Sequence, residues 1–256
     1  DELKHMDFRE VSQGEIGDCY LVATLMAMMR TPEGRKLLQK SIRPHTVNGH
    51  QDGYLVTVYE DPDHPERART VFVERTYLRG ANGGSPGVVS ILEAAYGQMY
   101  EGGTRGNSVF GPTGISAGEP SAVMEEITGK DTTIIKKGTW GFGDGYDDDQ
   151  RKDIQQALKN HRPVVANTVT RIVGFQNSEF IKEVSVHGEK HRIQMMRNHS
   201  YVVVAADKDG VTVRNPWGHS YDSDGNKQVE YAEFKMSWND FGASFGNVHV
   251  GGGYPK

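Results

Sequence analysis

The chain holds one cysteine, Cys19. It follows a polar, glycine-containing run, Val11 to Gly17, and opens an apolar stretch that reaches Arg30. Within that stretch Leu21, Val22, Leu25, Met28 and Met29 recur at helical spacing, which predicts a helix with a buried face. Asp18 is a suitable N-cap. The thiol then sits at a helix N-terminus, where unpaired amides and the helix dipole favour an anion and lower a thiol pKa. A thiolate so placed is a nucleophile. The ordinary alternative is a small apolar residue inside the helix, and the polar run before Cys19 argues against it.

Six positions upstream is Gln13, whose side-chain amide could donate to an oxyanion beside the amide of Cys19. Taken alone it reads as a surface glutamine. Of the ten histidines, His199 stands out by context. It opens the apolar run Ser200 to Ala206, the turn signal Asp207-Lys-Asp-Gly210 follows, and Val211 to Asn215 returns. His199 and Asn215 thus share the open end of one hairpin, within side-chain reach. An Asn oxygen accepting from the imidazole would fix its tautomer, and the imidazole could take the thiol proton. Trp217 follows directly. Its ring could shield the His–Asn bond from water, or simply belong to the core.

The elements that must position these residues are a helix-rich first half and a strand-rich second half. Besides the Cys19 helix, helices are predicted at 88–100, 120–128 (ended by Gly129) and 149–161, with Thr31-Pro32 stopping the first helix or beginning another. Strands are predicted at 52–60, 70–78, 132–135, 163–169, 201–206, 211–215 and 229–234, with a polar excursion between 169 and 201. Residues 61–65 read as a turn. Glycine-rich loops are predicted at 80–87, 101–118 and 140–149. The boundary between lobes is placed near 130, giving 1–130 and 131–256.

With 256 residues, a quarter of them charged, and a net charge of −5, the chain can bury a sizeable core and shows no clustered basic face for nucleic acid. No apolar run approaches the roughly 20 residues of a membrane span, and Asp1 to Glu10 has no signal-peptide character. A protein or peptide partner is expected, without nucleic acid or membrane. The missing initiator Met suggests part of a longer chain, cytoplasmic or exported with its parent.

Six segments together resemble the calpain family of cysteine proteases. Gln13-Gly-Glu-Ile-Gly-Asp-Cys-Tyr-Leu-Val-Ala23 resembles the nucleophile motif, Asn198-His-Ser-Tyr-Val202 the histidine strand, and Arg214-Asn-Pro-Trp-Gly218 the asparagine motif. Val89 to Tyr96 resembles the Leu-Glu-Lys-Ala-Tyr helix, Pro120 to Gly129 the end of the first lobe, and Glu233 to Phe241 the last strand of the second. The resemblance implies an α+β, papain-like two-lobe fold, with a helical first lobe carrying the nucleophile helix and a β-rich second lobe. It implies endopeptidase chemistry through a thioester, with Cys19 as nucleophile, His199 as base, Asn215 as orienter, Gln13 at the oxyanion and Trp217 as shield. Tyr20 stands where the family has Trp, Asn198 where it has Gly, and Lys130 where a second Gly is usual. The family's second calcium site would use Glu233, but Tyr231 and Tyr221 occupy positions where acids are expected, so no cofactor is expected to be required. Asp222-Ser-Asp-Gly225 and 143–149 could supply oxygens to calcium, or be solvated turns. An effector or self-processing domain of a longer protein, and a non-catalytic calpain-like binding module, remain as alternatives.

Overall fold

The structure, a computed structural model, describes residues 3–59, 65–99, 115–138, 145–170 and 177–254. Residues 61–64 of the expected turn, and residues 101–114 and 140–144 of the expected glycine-rich loops, lie outside the described residues.

Helix α1, Cys19–Met29, is buried all round from Tyr20 to Met29 rather than on one face, as a helix apolar on every side requires. Thr31 caps α2, Pro32–Ser41, by accepting from the Gly34 amide, with Pro at the first turn. Then come β1, Ile42–Val47, β2, His50–Val58, and β3, Arg69–Val73, an antiparallel sheet in the order β1-β2-β3. Two apolar helices follow, α3, Val88–Met99, and α4, Pro120–Thr128, the second closed by Gly129 at φ 62°.

The second part runs β4 (Thr133–Lys136), α5 (Asp148–Lys159), β5 (Val164–Thr168), β6 (Glu179–Val186), β7 (Glu189–Met196), β8 (Ser200–Ala206) and β9 (Gly210–Arg214). It ends with β10 (Ser220–Asp222), β11 (Lys227–Gln228), β12 (Glu233–Ser237), α6 (Trp238–Ser244) and β13 (Phe245–Val250). All ten of these strands join one antiparallel sheet, ordered β11-β10-β7-β6-β12-β9-β8-β5-β13-β4.

The expected papain-like α+β fold with a helical first lobe is therefore corrected. The described residues form a mostly antiparallel β architecture, a three-stranded and a ten-stranded sheet with six helices. The first part carries its own sheet because 42–58 folds as a hairpin turned at Asn48-Gly49, with φ of 52° and 82°. From 179 to 196 the polar excursion is a hairpin, β6–β7, turned at His187-Gly188, while 171–176 lie outside the described residues. Nor is the segment Glu233 to Phe241 a last strand: it leaves β12 at Ser237, which caps α6 through the Asp240 amide, and β13 follows.

Two apolar cores form. One draws on residues 6 to 127 together with Val165 and Val202, the other on residues 135 to 250. Val165 and Val202 lie directly opposite each other on β5 and β8. The face they share belongs to the first core, and α1 packs on it. That contact brings the start of α1 to the start of β8. Among the described residues no helix is long and apolar enough to cross a membrane.

Candidate active site

His199 stands immediately before β8, with its main chain pinned at both ends. Its amide donates to Thr168 Oγ1 at 2.9 Å and its carbonyl accepts from the Thr168 amide at 2.9 Å. Asn198, at φ 53°, turns the chain into the strand, a conformation Asn tolerates better than most residues. Asn215 follows β9, and the pairing of Val202 with Arg214 brings it beside the imidazole. His199 Nε2 lies 2.9 Å from Asn215 Oδ1, and both residues are buried. The same oxygen accepts from the Trp217 amide at 3.1 Å, which identifies that end of the side chain as the acceptor. Nε2 is then the donor and Nδ1 carries the lone pair. The Trp217 ring covers the imidazole at 4.6 Å between centroids, and Tyr201 meets it edge-on at 5.1 Å. Burial pushes the His199 pKa down to about 4, with the Asn215 bond opposing the fall.

Cys19 is the first residue of α1 and is partly exposed. Hydrogen bonding from the amide and hydroxyl of Ser200, the residue after His199, favours the Cys19 thiolate. Burial raises the thiol pKa and these Ser200 groups pull against it, so the lowered pKa expected from the helix terminus is overridden by desolvation. Among the described residues no hydrogen bond joins the sulfur to His199. Burial thus disfavours the charged form of each group.

Asp18 occupies the N-cap position, yet its side chain makes no capping bond. It is fully buried and faces the Glu93 carboxylate of α3, itself fully buried. Both oxygens of Glu93 accept from the Ala81 amide, at 3.1 and 2.9 Å, and a Cβ at Gly80 would collide with that carboxylate. Burial, then the neighbouring Glu93, holds Asp18 well above the usual carboxylate range. Two carboxylates cannot both ionise in such a place, so Asp18 is the protonated member and donates to Glu93.

Gln13 ties the two halves together, its main-chain amide donating to Pro216 carbonyl at 2.7 Å. Its Nε2 donates to Ile16 carbonyl at 2.7 Å, leaving the second N–H of that nitrogen for an oxyanion, while Oε1 is buried without a donor. Gly14 next to it lies on the carbonyls of Arg79 and Gly80, where a Cβ has no room. A pocket of about 450 Å³ adjoins Gln13 and Trp217, lined also by Met196, His219 and Tyr221.

The acidic residues considered for calcium have other work. Glu233 holds Arg9 in a two-pronged pair at 2.9 and 3.0 Å. Asp222 accepts from the Asp224 and Asn226 amides and from Gln228, holding the β10–β11 turn. Asp147 caps α5. Among the described residues no group of three or more His, Cys, Asp or Glu could hold a metal ion.

No protein-family model matches the chain, and no curated protein matches it. Sequence reasoning missed Thr168, Glu93 and Ser200 as supports of the site. Only Ser200 carried a signal, its place beside His199; the others are brought in by tertiary packing.

Proposed function

We propose that the chain is a calpain-like cysteine endopeptidase acting on protein or peptide substrates and needing no metal cofactor. The supporting observation is the buried His199–Asn215 pair under Trp217, with the next residue, Ser200, favouring the Cys19 thiolate by hydrogen bonding. Nδ1 of His199 takes the thiol proton as the sulfur attacks the scissile carbonyl carbon. The carbonyl π pair moves to oxygen, and that oxyanion accepts from the second N–H of Gln13 and from the Cys19 amide, which as the first of α1 has no intrahelical acceptor. Collapse expels the amine, which takes the proton back from Nδ1, and leaves a thioester. Water, deprotonated by the same nitrogen, then releases the acid and restores the thiol. Because burial disfavours both charged forms, proton transfer accompanies attack. The test is cleavage of an unfolded protein substrate by the chain and by Cys19→Ala: cleavage lost with the fold retained supports the reading, and full cleavage by the variant overturns it.

A further inference from the structure

The floor of the pocket beside Gln13 and Trp217 is one face of three neighbouring strands, β10, β7 and β6. Tyr221 on β10 lies directly opposite Gln194 on β7, and Met196 on β7 directly opposite Glu179 on β6. Residues 194 and 196 share a face, so these four side chains meet in the pocket. Ile193 and Met195 belong instead to the second core.

The segment after β9 closes one side of the pocket with Trp217 and His219. Three rings form an aromatic corner there. Trp217 and His219 stack at 5.9 Å between centroids, and Tyr221 meets them edge-on at 6.4 and 5.2 Å. His219 Nδ1 lies 3.0 Å from the Trp217 carbonyl and donates to it, which leaves Nε2 as an acceptor. Burial, then the charge of Lys227, holds the His219 pKa below its usual value, so the ring is neutral at neutral pH. Glu179 is the one charged residue in the lining. It is exposed, accepts from the Ser178 hydroxyl and forms no ion pair among the described residues. Lys227, opposite Tyr221 on β11, is exposed and lies outside the lining.

A π face attracts a cation, and a carboxylate does so more strongly. Aromatic rings, a thioether and one carboxylate therefore suit a cationic head on an apolar stem, the chemistry of arginine and lysine. The place of the pocket relative to His199 decides which part of a substrate arrives there. The leaving amine takes its proton from His199, so the chain after the scissile bond starts beside that imidazole. Trp217 covers the imidazole at 4.6 Å and also lines the pocket. With 3.8 Å between successive Cα atoms, the first two residues of the leaving segment pass alongside Trp217.

We propose that this pocket selects substrates with arginine or lysine at the first or second position after the scissile bond, with Glu179 setting the preference. The proposal deepens the protease reading and rests on it for the identity of the ligand.

The test is kcat/KM of the full chain on peptides carrying arginine, lysine, citrulline or leucine at each of the two positions. Citrulline keeps the shape of arginine without its charge. At one of the positions the charged residues should exceed the neutral ones about fivefold, the scale of an exposed cation–π contact with a surface ion pair. In Glu179→Gln the gap should shrink to about twofold, the share of the rings, with the rate on citrulline peptides unchanged. The readout is a ratio within each protein, so a partial loss of folding does not imitate it. Indifference to charge at both positions, or a full preference in Glu179→Gln, overturns the proposal. Should no peptide be cleaved, wild type and Glu179→Gln are titrated by NMR with peptides that begin with arginine or citrulline, as the released product would. Tighter binding of the arginine peptide that is lost in Glu179→Gln supports the pocket and refutes the protease reading alone. Equal binding of the two peptides overturns the pocket as well.

Discussion

On the base side of the site, His199, Asn215 and Trp217 satisfy one another. Nε2 has its acceptor, that acceptor has a second donor, and a ring closes over both. On the nucleophile side, Gln13 Oε1 is buried with no donor, Asp18 is paired only to another buried carboxylate, and burial raises the Cys19 pKa. Buried polar groups are normally paired, and a fully paired network is rigid. On the proposed reading, the difference separates a preorganised base from a nucleophile whose thiolate burial disfavours. The α1 terminus is wrapped by a mostly apolar core, so its polar atoms meet few donors, whereas the β8–β9 end offers main-chain and side-chain partners at strand spacing.

Several variants would break or sharpen that contrast. The largest effect is expected for Asn215→Ala, which strips the base of its orienter. Labelling of Cys19 by a peptidyl epoxide should slow by about a hundredfold, within the range of a positioned base. The urea midpoint should fall by the equivalent of about 1–3 kcal/mol, because a buried N–H loses its acceptor. An unchanged labelling rate would show that the base side is not preorganised by this bond.

Next is acid. The folded pKa of His199, about 4, lies below the value near 6.5 of an unfolded histidine. Above 6.5 the group is neutral in both states; as pH falls from 6.5 to 4 the unfolded chain binds the proton first, and stability is lost across that window. The loss is roughly 3 kcal/mol for His199, and of similar size for His249, also pushed down to about 4 by burial. Denaturation by urea at stepped pH measures it. Flat stability over that window would contradict the burial of both rings.

Asp18→Asn should act in the opposite sense. The folded pKa of Asp18 is raised, so the wild type loses stability as pH rises above the unfolded value near 3.8. An amide that donates to Glu93 without needing a proton should stabilise the chain at neutral pH by about 1 kcal/mol, with the gain fading toward pH 4. A destabilised variant at pH 8 would mean that the carboxyl has a partner the account lacks. The smallest effect belongs to Arg9→Ala. Half-exposed Arg9 pairs with Glu233 at the surface, and its loss should cost less than about 1 kcal/mol.

Legibility in the sequence followed the same division. The α1 helix was readable because apolar spacing and the polar run before it agreed, and α4 because Pro120 and Gly129 bracket it. The β8–β9 hairpin was readable from its turn, which placed His199 and Asn215 together. Strand β1 was not, since Pro44 sits within it; as an edge strand it tolerates the proline. Strands β6 and β7 carry many charged residues, so their alternation, with Val184 and Val186 facing in, was masked. The helical first lobe came from the family resemblance, although two of the three strands of its sheet, β2 and β3, were legible from their alternation. Glu179 and Met196 left no trace in the spacing, because the strand register alone sets them opposite each other in the pocket beside Trp217.

The central claim is that Cys19 and His199 act as one unit. Its most direct test is the rate at which a peptidyl epoxide labels Cys19 in the wild type and in His199→Ala at neutral pH. The account predicts rapid labelling that falls at least about a hundredfold in the variant. Equal rates in two folded proteins would contradict it.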